Sequence, residues 1–470
     1  MKIIPPPSPW GAIPSPRQLA WHRLEMYGFI HFTTNTFTDL EWGYGDESPS
    51  VFNPTQLDTR QWVRVAKDGG FKGLILTCKH HDGYCLWPSR YTEHSVKHSL
   101  WKNGQGDVVR ELADACQEFD LKMGVYLSPW DRNHSLYGQA EYVQYYRNQL
   151  HELLANYGPL FEVWHDGANG GDGWYGGACE QRKIDPSTYY GWPETWALVR
   201  RLQPDAVIFS DTGADIRWVG NESGVGSETT WCTFNTAGRY PGYPEISDMG
   251  TGHEGGSDWL PPETDVSIRP GWFYHAHQDE AVKSLSQLVD IYFQSVGRGT
   301  SLLLNLPPDR RGLIHEIDAD HLREFHSFLE RTFQHDLARN GSISASNTRG
   351  PEFAAGFLVD ENPETCWATE DGVTNAQLVL EFPQALTFNI FKAQEYIALG
   401  QRVRAWRLDA QAPDGKWLPV TKGTTIGYKR LARFTPVTAQ RVRLCLENSA
   451  ACPVLTSLSL FYNPDLQELK

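Results

Sequence analysis

Residues 73–82 read Gly-Leu-Ile-Leu-Thr-Cys-Lys-His-His-Asp, an apolar, β-rich run that stops at a cluster of polar side chains. Similar runs recur through residues 1–336 and alternate with longer helical patterns. This alternation is typical of βα units around a parallel sheet, and eight of them fit a (β/α)₈ barrel of the triosephosphate-isomerase type. The eight predicted strands are Gly28–Phe32, Gly73–Cys78, Lys122–Ser128, Phe161–Asp166, Ala206–Asp211, Arg217–Glu222, Gly271–His275 and Ser301–Leu306.

The pattern changes after about Leu337. From Asn340-Gly341 onwards, short alternating runs such as Gln377–Phe382 and Arg441–Leu444 are separated by turn signals, and no helical pattern of comparable strength remains. Alternation with a period of two predicts strands with one buried face. We therefore predict an α/β fold in two parts: a catalytic barrel over residues 1–336 and an antiparallel β-sandwich over residues 337–470.

Composition narrows the possible partners. The formal charge is −15, so the surface repels phosphate backbones and anionic lipids, and neither nucleic acid nor a membrane is an expected partner. The 18 tryptophans are an unusual number, and aromatic faces are the surfaces on which the apolar faces of sugars stack.

Active sites of such barrels collect at the carboxyl ends of the strands. In this sequence a polar residue stands where each apolar run stops, so we expect a polar pocket at one face of the barrel. The strand-end residues are His31, His80, His81, Asp82, Ser128, His165, Asp166, Asp211, Glu222, His275 and Asn305.

Two carboxylates in this series, Asp166 and Glu222, are each followed closely by glycine, which leaves room for a ligand. A retaining glycosidase needs one carboxylate as nucleophile and one carboxylic acid as proton donor, about 5–5.5 Å apart. Spacing alone also allows a structural role in place of a catalytic one: Glu222 could form a salt bridge with Arg217, or the carboxylate could cap a helix.

Four fragments resemble glycoside hydrolase family 29, the α-L-fucosidases, and occur in the order expected for that family. They are Phe29-Ile30-His31-Phe32, Glu41-Trp42-Gly43, Thr77-Cys78-Lys79-His80-His81-Asp82-Gly83-Tyr84 and Trp164-His165-Asp166-Gly167. The last resembles the family's nucleophile motif, although His165 stands where an aromatic residue is usual.

This resemblance implies a retaining α-L-fucosidase that needs no cofactor and no metal, with Asp166 as nucleophile. The stretch 217–224 resembles the branch of the family that acts on α-1,3 and α-1,4 linkages in Lewis-type glycans, which implies that Glu222 is the acid/base. Fucosylated oligosaccharides are then the expected partners. The residues expected to bind the sugar are His31, Glu41, Trp42, His80, His81, Tyr126, His165 and Trp272.

The resemblance extends to the second region and to the cellular location. Residues 360–367 resemble the galactose-binding-like, discoidin-type β-sandwiches. Asn221-Glu222-Ser223 is an N-glycosylation sequon, and a glycan there would block the pocket, so we expect a chain that does not pass through a eukaryotic secretory pathway. The family resemblance then implies a bacterial enzyme, periplasmic or secreted.

Two other functions remain open on the sequence. A metal-dependent barrel hydrolase would use His31, His80, His81, Asp82 and Asp166 as ligands. A glycan-binding protein with an inactive barrel would need neither carboxylate.

Overall fold

The computed structural model describes residues 4–167 and 170–467. In its first part, helices alternate with strands as far as Phe333. The helices are α1 (Pro16–His22), α2 (Thr34–Thr38), α3 (Thr59–Asp68), α4 (Val108–Glu118), α5 (Ala140–Asn156), α6 (Trp192–Leu202), α7 (Leu285–Gln294) and α8 (Glu316–Phe333).

The strands of this part fall into a central sheet and two small hairpin-like pairs. They are β1 (Met26–Ile30), β2 (Gly73–Lys79), β3 (Lys122–Leu127), β4 (Glu162–Trp164), β5 (Asp172–Gly173), β6 (Glu180–Gln181), β7 (Val207–Phe209), β8 (Arg217–Trp218), β9 (Thr233–Phe234), β10 (Asp258–Trp259), β11 (Pro262–Ser267) and β12 (Ser301–Asn305).

The central sheet has eight strands in the order β7-β4-β3-β2-β1-β12-β11-β8. Its paired neighbours run parallel. A parallel bridge between Phe209 and Ile216 joins the two edges, so the sheet is a nearly closed barrel. The predicted barrel is therefore confirmed.

One predicted strand is wrong. The seventh barrel strand is β11 (Pro262–Ser267), whereas residues 271–275 form a loop beyond its carboxyl end. Strand β11 reads Pro-Glu-Thr-Asp-Val-Ser, and three polar residues of this run bond to groups inside the barrel: Glu263 to Trp164, Asp265 to Trp218 and Ser267 to Asn305. A search for apolar runs misses a strand whose inward face is polar.

Alternation along the strands divides the barrel core into two layers. Tyr27 and Phe29 of β1 belong to a cluster inside the barrel, whereas Met26 and Ile30 pack outwards against the helices. Helix α3 covers this outer face with Trp62, and it begins at Asp58, whose carboxylate accepts hydrogen bonds from the Arg60 and Gln61 backbone N–H groups.

The second part is an antiparallel sheet that follows the barrel, as predicted. Its strands are linked in the order β14-β19-β15-β18-β16-β17, with β13 paired to β15. They are β13 (Ser342–Ala345), β14 (Trp367–Ala368), β15 (Ala376–Glu395), β16 (Val403–Gln411), β17 (Trp417–Gly423), β18 (Arg430–Ser449) and β19 (Val454–Phe461).

Two long strands shape this sheet. Strands β15 and β18 each run for 20 residues, and their register shifts between Glu381 and Leu386. Leu378 from the first half of β15 and Phe391 from the second half lie in the same core. The two halves of the sheet therefore enclose one apolar interior. The predicted boundary between residues 336 and 337 falls between α8 and β13.

The second part supports a loop of the barrel. Gln401 donates to the carbonyl of Thr230 (2.7 Å) and accepts from the backbone N–H of Cys232 (2.8 Å), while the Thr425 hydroxyl accepts from the Thr230 N–H (2.9 Å). These bonds anchor the segment that follows Glu222 along the chain. Among the described residues, no helix is long and apolar enough to cross a membrane.

Candidate active site

The loops at the carboxyl ends of the strands bring most of the predicted site residues together. Asp166 follows β4, and its carboxylate is partly exposed at 24 %. The buried Tyr126 hydroxyl, from β3, donates a hydrogen bond to Asp166 Oδ2 (2.8 Å), and His81 Nε2 lies 3.8 Å from the same oxygen. Burial, with the charge of Asp166, raises the pKa of Tyr126, so this phenol stays a proton donor.

His31 is held in one tautomer by Asn305. The Asn305 side-chain amide donates to Ser267 Oγ and to the Trp272 carbonyl, which leaves its oxygen to accept from His31 Nδ1 (2.8 Å). Burial lowers the pKa of His31 to about 3, so the ring is neutral and Nε2 carries a lone pair.

His81 is fixed in the same way from another strand. The Ser128 hydroxyl donates to the Trp130 carbonyl (2.7 Å) and therefore accepts from His81 Nδ1 (2.7 Å). Burial lowers the pKa of His81 to about 4, against the charge of Asp166, which raises it. Burial also lowers the pKa of His80, whose ring stacks on Tyr126 with centroids 5.9 Å apart. The site thus presents neutral imidazoles, which suit sugar hydroxyl groups.

Glu222 lies four residues beyond the end of β8, at the exposed mouth of the pocket. The Trp272 indole N–H donates to Glu222 Oε2 (3.3 Å). Partial desolvation raises the pKa of Glu222, the charges of Asp166 and Glu41 raise it further, and the Trp272 hydrogen bond lowers it. Trp272, which contacts Glu222, packs with its ring centroid 5.1 Å from that of His31, and the His31 ring lies 6.2 Å from that of Tyr126, which holds Asp166. The two carboxylates therefore face one pocket.

Glu41 organises the loop that carries Trp272. Its carboxylate accepts from the backbone N–H groups of Trp272 (2.8 Å) and Phe273 (3.3 Å) and lies 2.7 Å from His275 Nε2. Gly271 makes this approach possible, because a Cβ there would lie 2.2 Å from Glu41 Oε1. Glu41 therefore positions the loop as well as lining the pocket.

Trp42 adds an aromatic surface at the rim. Its ring is 55 % exposed and meets the rings of His81 and Trp130 edge-on, with centroids 5.6 and 5.5 Å apart. A large indole left in solvent beside a pocket is a natural stacking surface for a sugar.

His165 does not join this group. Its ring is fully buried, Nδ1 donates to the Tyr146 hydroxyl of α5 (2.7 Å), and the ring packs on Trp192. The residue directly before Asp166 points to the opposite side of the chain, as alternation along a strand requires. The prediction that His165 contacts the sugar therefore has no support from its position.

Two carboxyl groups near the pocket extend the predicted set. Asp211 is a predicted strand-end residue and the next candidate for the acid/base role after Glu222. It accepts from the Gly242 N–H (2.9 Å), and a Cβ on Gly167 would lie 1.9 Å from its Oδ2. Burial and the charge of Asp166 raise the pKa of Asp211 to about 6. Asp265 lies on β11, the strand that the apolar pattern does not predict, and its carboxylate is buried beside Trp218. Burial and the charge of Glu222 raise the pKa of Asp265.

The ligand set of the metal-dependent alternative does not converge. Across residues 4–167 and 170–467, the one group of three potential ligands within 4.8 Å of one another is Asp39, His275 and His277. His31, His80, His81, Asp82 and Asp166 do not form such a group. Asp82 accepts instead from the hydroxyls of Thr33 and Thr34.

The arrangement fits glycosidic bond cleavage. A carboxylate with a hydrogen-bond donor beside it, a second carboxyl group with a raised pKa, and neutral imidazoles around them are the parts that a glycoside hydrolase needs. The fold and the site define this class of enzyme.

Comparison with known proteins specifies the class further. The sequence model of the α-L-fucosidase family matches residues 9–333. The chain is 44% identical to Alpha-L-fucosidase 1 of Arabidopsis thaliana over 98% of this chain and 89% of the plant protein. The chain belongs to the α-L-fucosidases of glycoside hydrolase family 29.

Solved structures agree with this assignment. SpGH29 superimposes with a TM-score of 0.91 at 42% identity, covering 98% of this chain and 100% of the other. A Ruminococcus gnavus GH29 fucosidase in complex with fucose gives a TM-score of 0.89 at 30% identity, covering 98% of each chain. The predicted family and α-L-fucosidase activity are thereby confirmed.

The Trp272–Glu222 hydrogen bond leads to a pH prediction. The Trp272 N–H stabilises ionised Glu222, so Trp272→Phe should raise the pKa of Glu222 further. If Glu222 must be protonated for the first step, activity is lost as pH rises through that pKa, and the basic limb of the kcat/KM profile should move to higher pH. The profile is measured with an aryl α-L-fucoside.

Trp42→Phe is the control for that experiment, because Trp42 also loses an indole N–H at the rim but packs on His81 and Trp130. It should leave the basic limb in place. If the basic limb of the kcat/KM profile stays in place or moves to lower pH in Trp272→Phe, the assignment of the Trp272–Glu222 hydrogen bond is contradicted.

Proposed function

We propose that this chain is a retaining exo-α-L-fucosidase that removes α-1,3- and α-1,4-linked fucose from Lewis-type glycans. The observation that carries the proposal is the presence in one pocket of Asp166, held by Tyr126, and Glu222, which contacts Trp272 and whose pKa is raised by partial desolvation and, to a smaller extent, by the charge of Asp166. One group is thus suited to attack and the other to donate a proton.

In the first step, an Asp166 oxygen attacks the anomeric carbon while the bond to the glycosidic oxygen breaks. Glu222 gives its proton to that oxygen, and the aglycone leaves as an alcohol. Once Asp166 is esterified its charge is gone, so one cause of the raised pKa of Glu222 disappears. Glu222 is then suited to act as a base.

In the second step, Glu222 takes a proton from water as the water oxygen attacks the anomeric carbon. The ester bond to Asp166 breaks, and α-L-fucose is released with both carboxyl groups restored. The Tyr126 hydroxyl, bonded to Asp166 Oδ2, orients the nucleophile and stabilises the carboxylate that re-forms.

Binding of fucose is assigned to the walls of the same pocket. Nε2 of His31 and of His81 carry lone pairs, because each Nδ1 donates to a protein oxygen, so both are suited to accept hydrogen bonds from sugar hydroxyls. The Trp272 ring, which packs beside His31, offers an apolar face to fucose, and the exposed Trp42 ring at the rim offers another.

The linkage preference is tested on paired substrates. We expect rapid release of fucose from a Lewis trisaccharide and poor release from 2′-fucosyllactose, measured as kcat/KM by quantifying free fucose. The support is the stretch 217–224, which carries Glu222 and resembles the α-1,3/1,4-acting branch. Equal rates on the two glycans would contradict the linkage assignment but leave the α-L-fucosidase activity intact.

A further inference from the structure

Asp39, His275 and His277 form a polar cluster on the rim, outside the catalytic pair. One ligand atom from each lies within 4.8 Å of the others. Asp39 is the C-cap of α2 and has a left-handed backbone (φ 64°), while His277 lies in the short 3₁₀ helix Ala276–Ala281 that follows His275. Asp39 and His277 are exposed, so solvent reaches the cluster, and His275 is buried behind them.

His275 is oriented as metal-binding histidines usually are. Its Nε2 lies 2.7 Å from Glu41 Oε1, and Glu41 is itself held by two backbone N–H groups. A histidine that donates one ring N–H to a fixed carboxylate presents the other nitrogen as a ligand. Here that nitrogen is Nδ1, which faces Asp39 Oδ1 at 2.8 Å.

Asp39 and His275 already bring two ligand atoms to one point, since Asp39 Oδ1 faces His275 Nδ1 at 2.8 Å. Adjacent ligand atoms of a tetrahedral Zn²⁺ ion lie about 3.3 Å apart, so a movement of about 0.5 Å by the exposed Asp39 side chain admits the ion between them. His277, whose ring centroid lies 5.5 Å from that of His275, completes the set when its exposed side chain turns towards the same point.

We propose that Asp39, His275 Nδ1 and His277 bind one divalent transition-metal ion of the Zn²⁺ type. Two imidazoles and one carboxylate favour Zn²⁺, Ni²⁺ or Co²⁺ over Mg²⁺ and Ca²⁺, which prefer oxygen ligands. Three protein ligands leave a fourth position of the tetrahedron to water. The exposed Arg310 guanidinium lies 3.9 Å from Asp39 and donates from Nε to the Thr36 carbonyl (3.1 Å), so it can stay on that carbonyl while Asp39 turns to the ion.

The ion would tie the end of α2 to the loop that carries Trp272. The site does not depend on the proposed reaction, because none of its three ligands takes part in bond cleavage. Its predicted effects are therefore binding of the metal and stabilisation of the folded chain by that binding.

Titration calorimetry of Zn²⁺ into the full chain, after treatment with a chelator and its removal, tests the site. We expect one saturable ion per chain in the wild type, and at least tenfold weaker binding in His277→Ala and in Asp39→Asn. His151→Ala is the matched control, since His151 is an exposed histidine on α5, and it should bind like the wild type.

Two further readouts exclude misfolding and surface binding. The unfolding temperature without metal should be unchanged in His277→Ala, whereas Zn²⁺ should raise it in the wild type and in His151→Ala only. Co²⁺ should give the visible absorption of a four- or five-coordinate ion in those same two proteins. Equal Zn²⁺ affinity in His277→Ala and the wild type, or no saturable binding in the wild type, would overturn the proposal.

Discussion

Asp166→Ala is expected to lower kcat on every fucoside by about 10⁴-fold or more, because no covalent intermediate can form without the nucleophile. Aryl and oligosaccharide substrates should lose activity alike, since the step that fails precedes any difference between their leaving groups. The measurement is kcat with a nitrophenyl α-L-fucoside and with a Lewis trisaccharide, each compared with the wild type.

Addition of azide distinguishes loss of the nucleophile from a general loss of activity in Asp166→Ala. The small side chain leaves space for azide to attack the anomeric carbon of the activated aryl substrate directly, with one inversion. The product should be β-L-fucosyl azide. Tyr126→Phe, which removes the hydrogen bond to Asp166 but keeps the carboxylate, should retain part of its activity and give no azide product of this kind. Near-normal turnover in Asp166→Ala would contradict the nucleophile assignment.

Glu222→Ala is expected to separate the two substrate classes. A nitrophenolate leaves without a proton, so the first step survives and an early burst of nitrophenol should appear. A sugar leaving group needs the acid, so release from a glycan should slow by about 10²- to 10⁴-fold. Rapid-mixing kinetics on the aryl substrate and fucose release from a glycan measure the two effects.

Azide also tests the acid/base role of Glu222, because in Glu222→Ala it should give the opposite anomer of fucosyl azide. It attacks the fucosyl-enzyme on Asp166 without needing a base, so two inversions occur and α-L-fucosyl azide should form as turnover recovers. Asp211→Asn is the comparison, because Asp211 is the other carboxyl group near Asp166 with a raised pKa. Recovery by azide in Asp211→Asn and none in Glu222→Ala would transfer the acid/base role to Asp211.

The barrel could be predicted from the sequence because most of the barrel strands are apolar on both faces. In β2, every residue from Gly73 to Lys79 is buried, and such a run is visible without any structure. The position of Asp166 follows from the end of a short buried strand, since it lies two residues after Trp164, the last residue of β4. The order of the family fragments then gave the reaction class.

The parts that could not be predicted depend on contacts between distant residues. Strand β11 carries Glu263 and Asp265 into the barrel, where Trp164 and Trp218 donate hydrogen bonds to them. No local pattern shows that these carboxyl groups have buried partners. Likewise, His165 is buried because it contacts Tyr146, which lies about 20 residues earlier in the chain, on α5. The residues around His165 do not show where that helix packs.

The tautomers of the pocket histidines lie beyond the sequence for the same reason. His31 and His81 each depend on one hydrogen-bond acceptor, Asn305 or Ser128, that is distant in sequence but adjacent in the barrel. Sequence indicated that these residues share one end of the barrel. The structure adds which nitrogen of each ring is left for a ligand.

Proton NMR during hydrolysis of an aryl α-L-fucoside tests the central claim most directly, because it reports the anomer that leaves the enzyme before mutarotation. Double displacement through Asp166 predicts that α-L-fucose appears first and that the β anomer grows in later at the rate of free mutarotation. First appearance of β-L-fucose would mean a single displacement by water and would contradict the covalent role of Asp166.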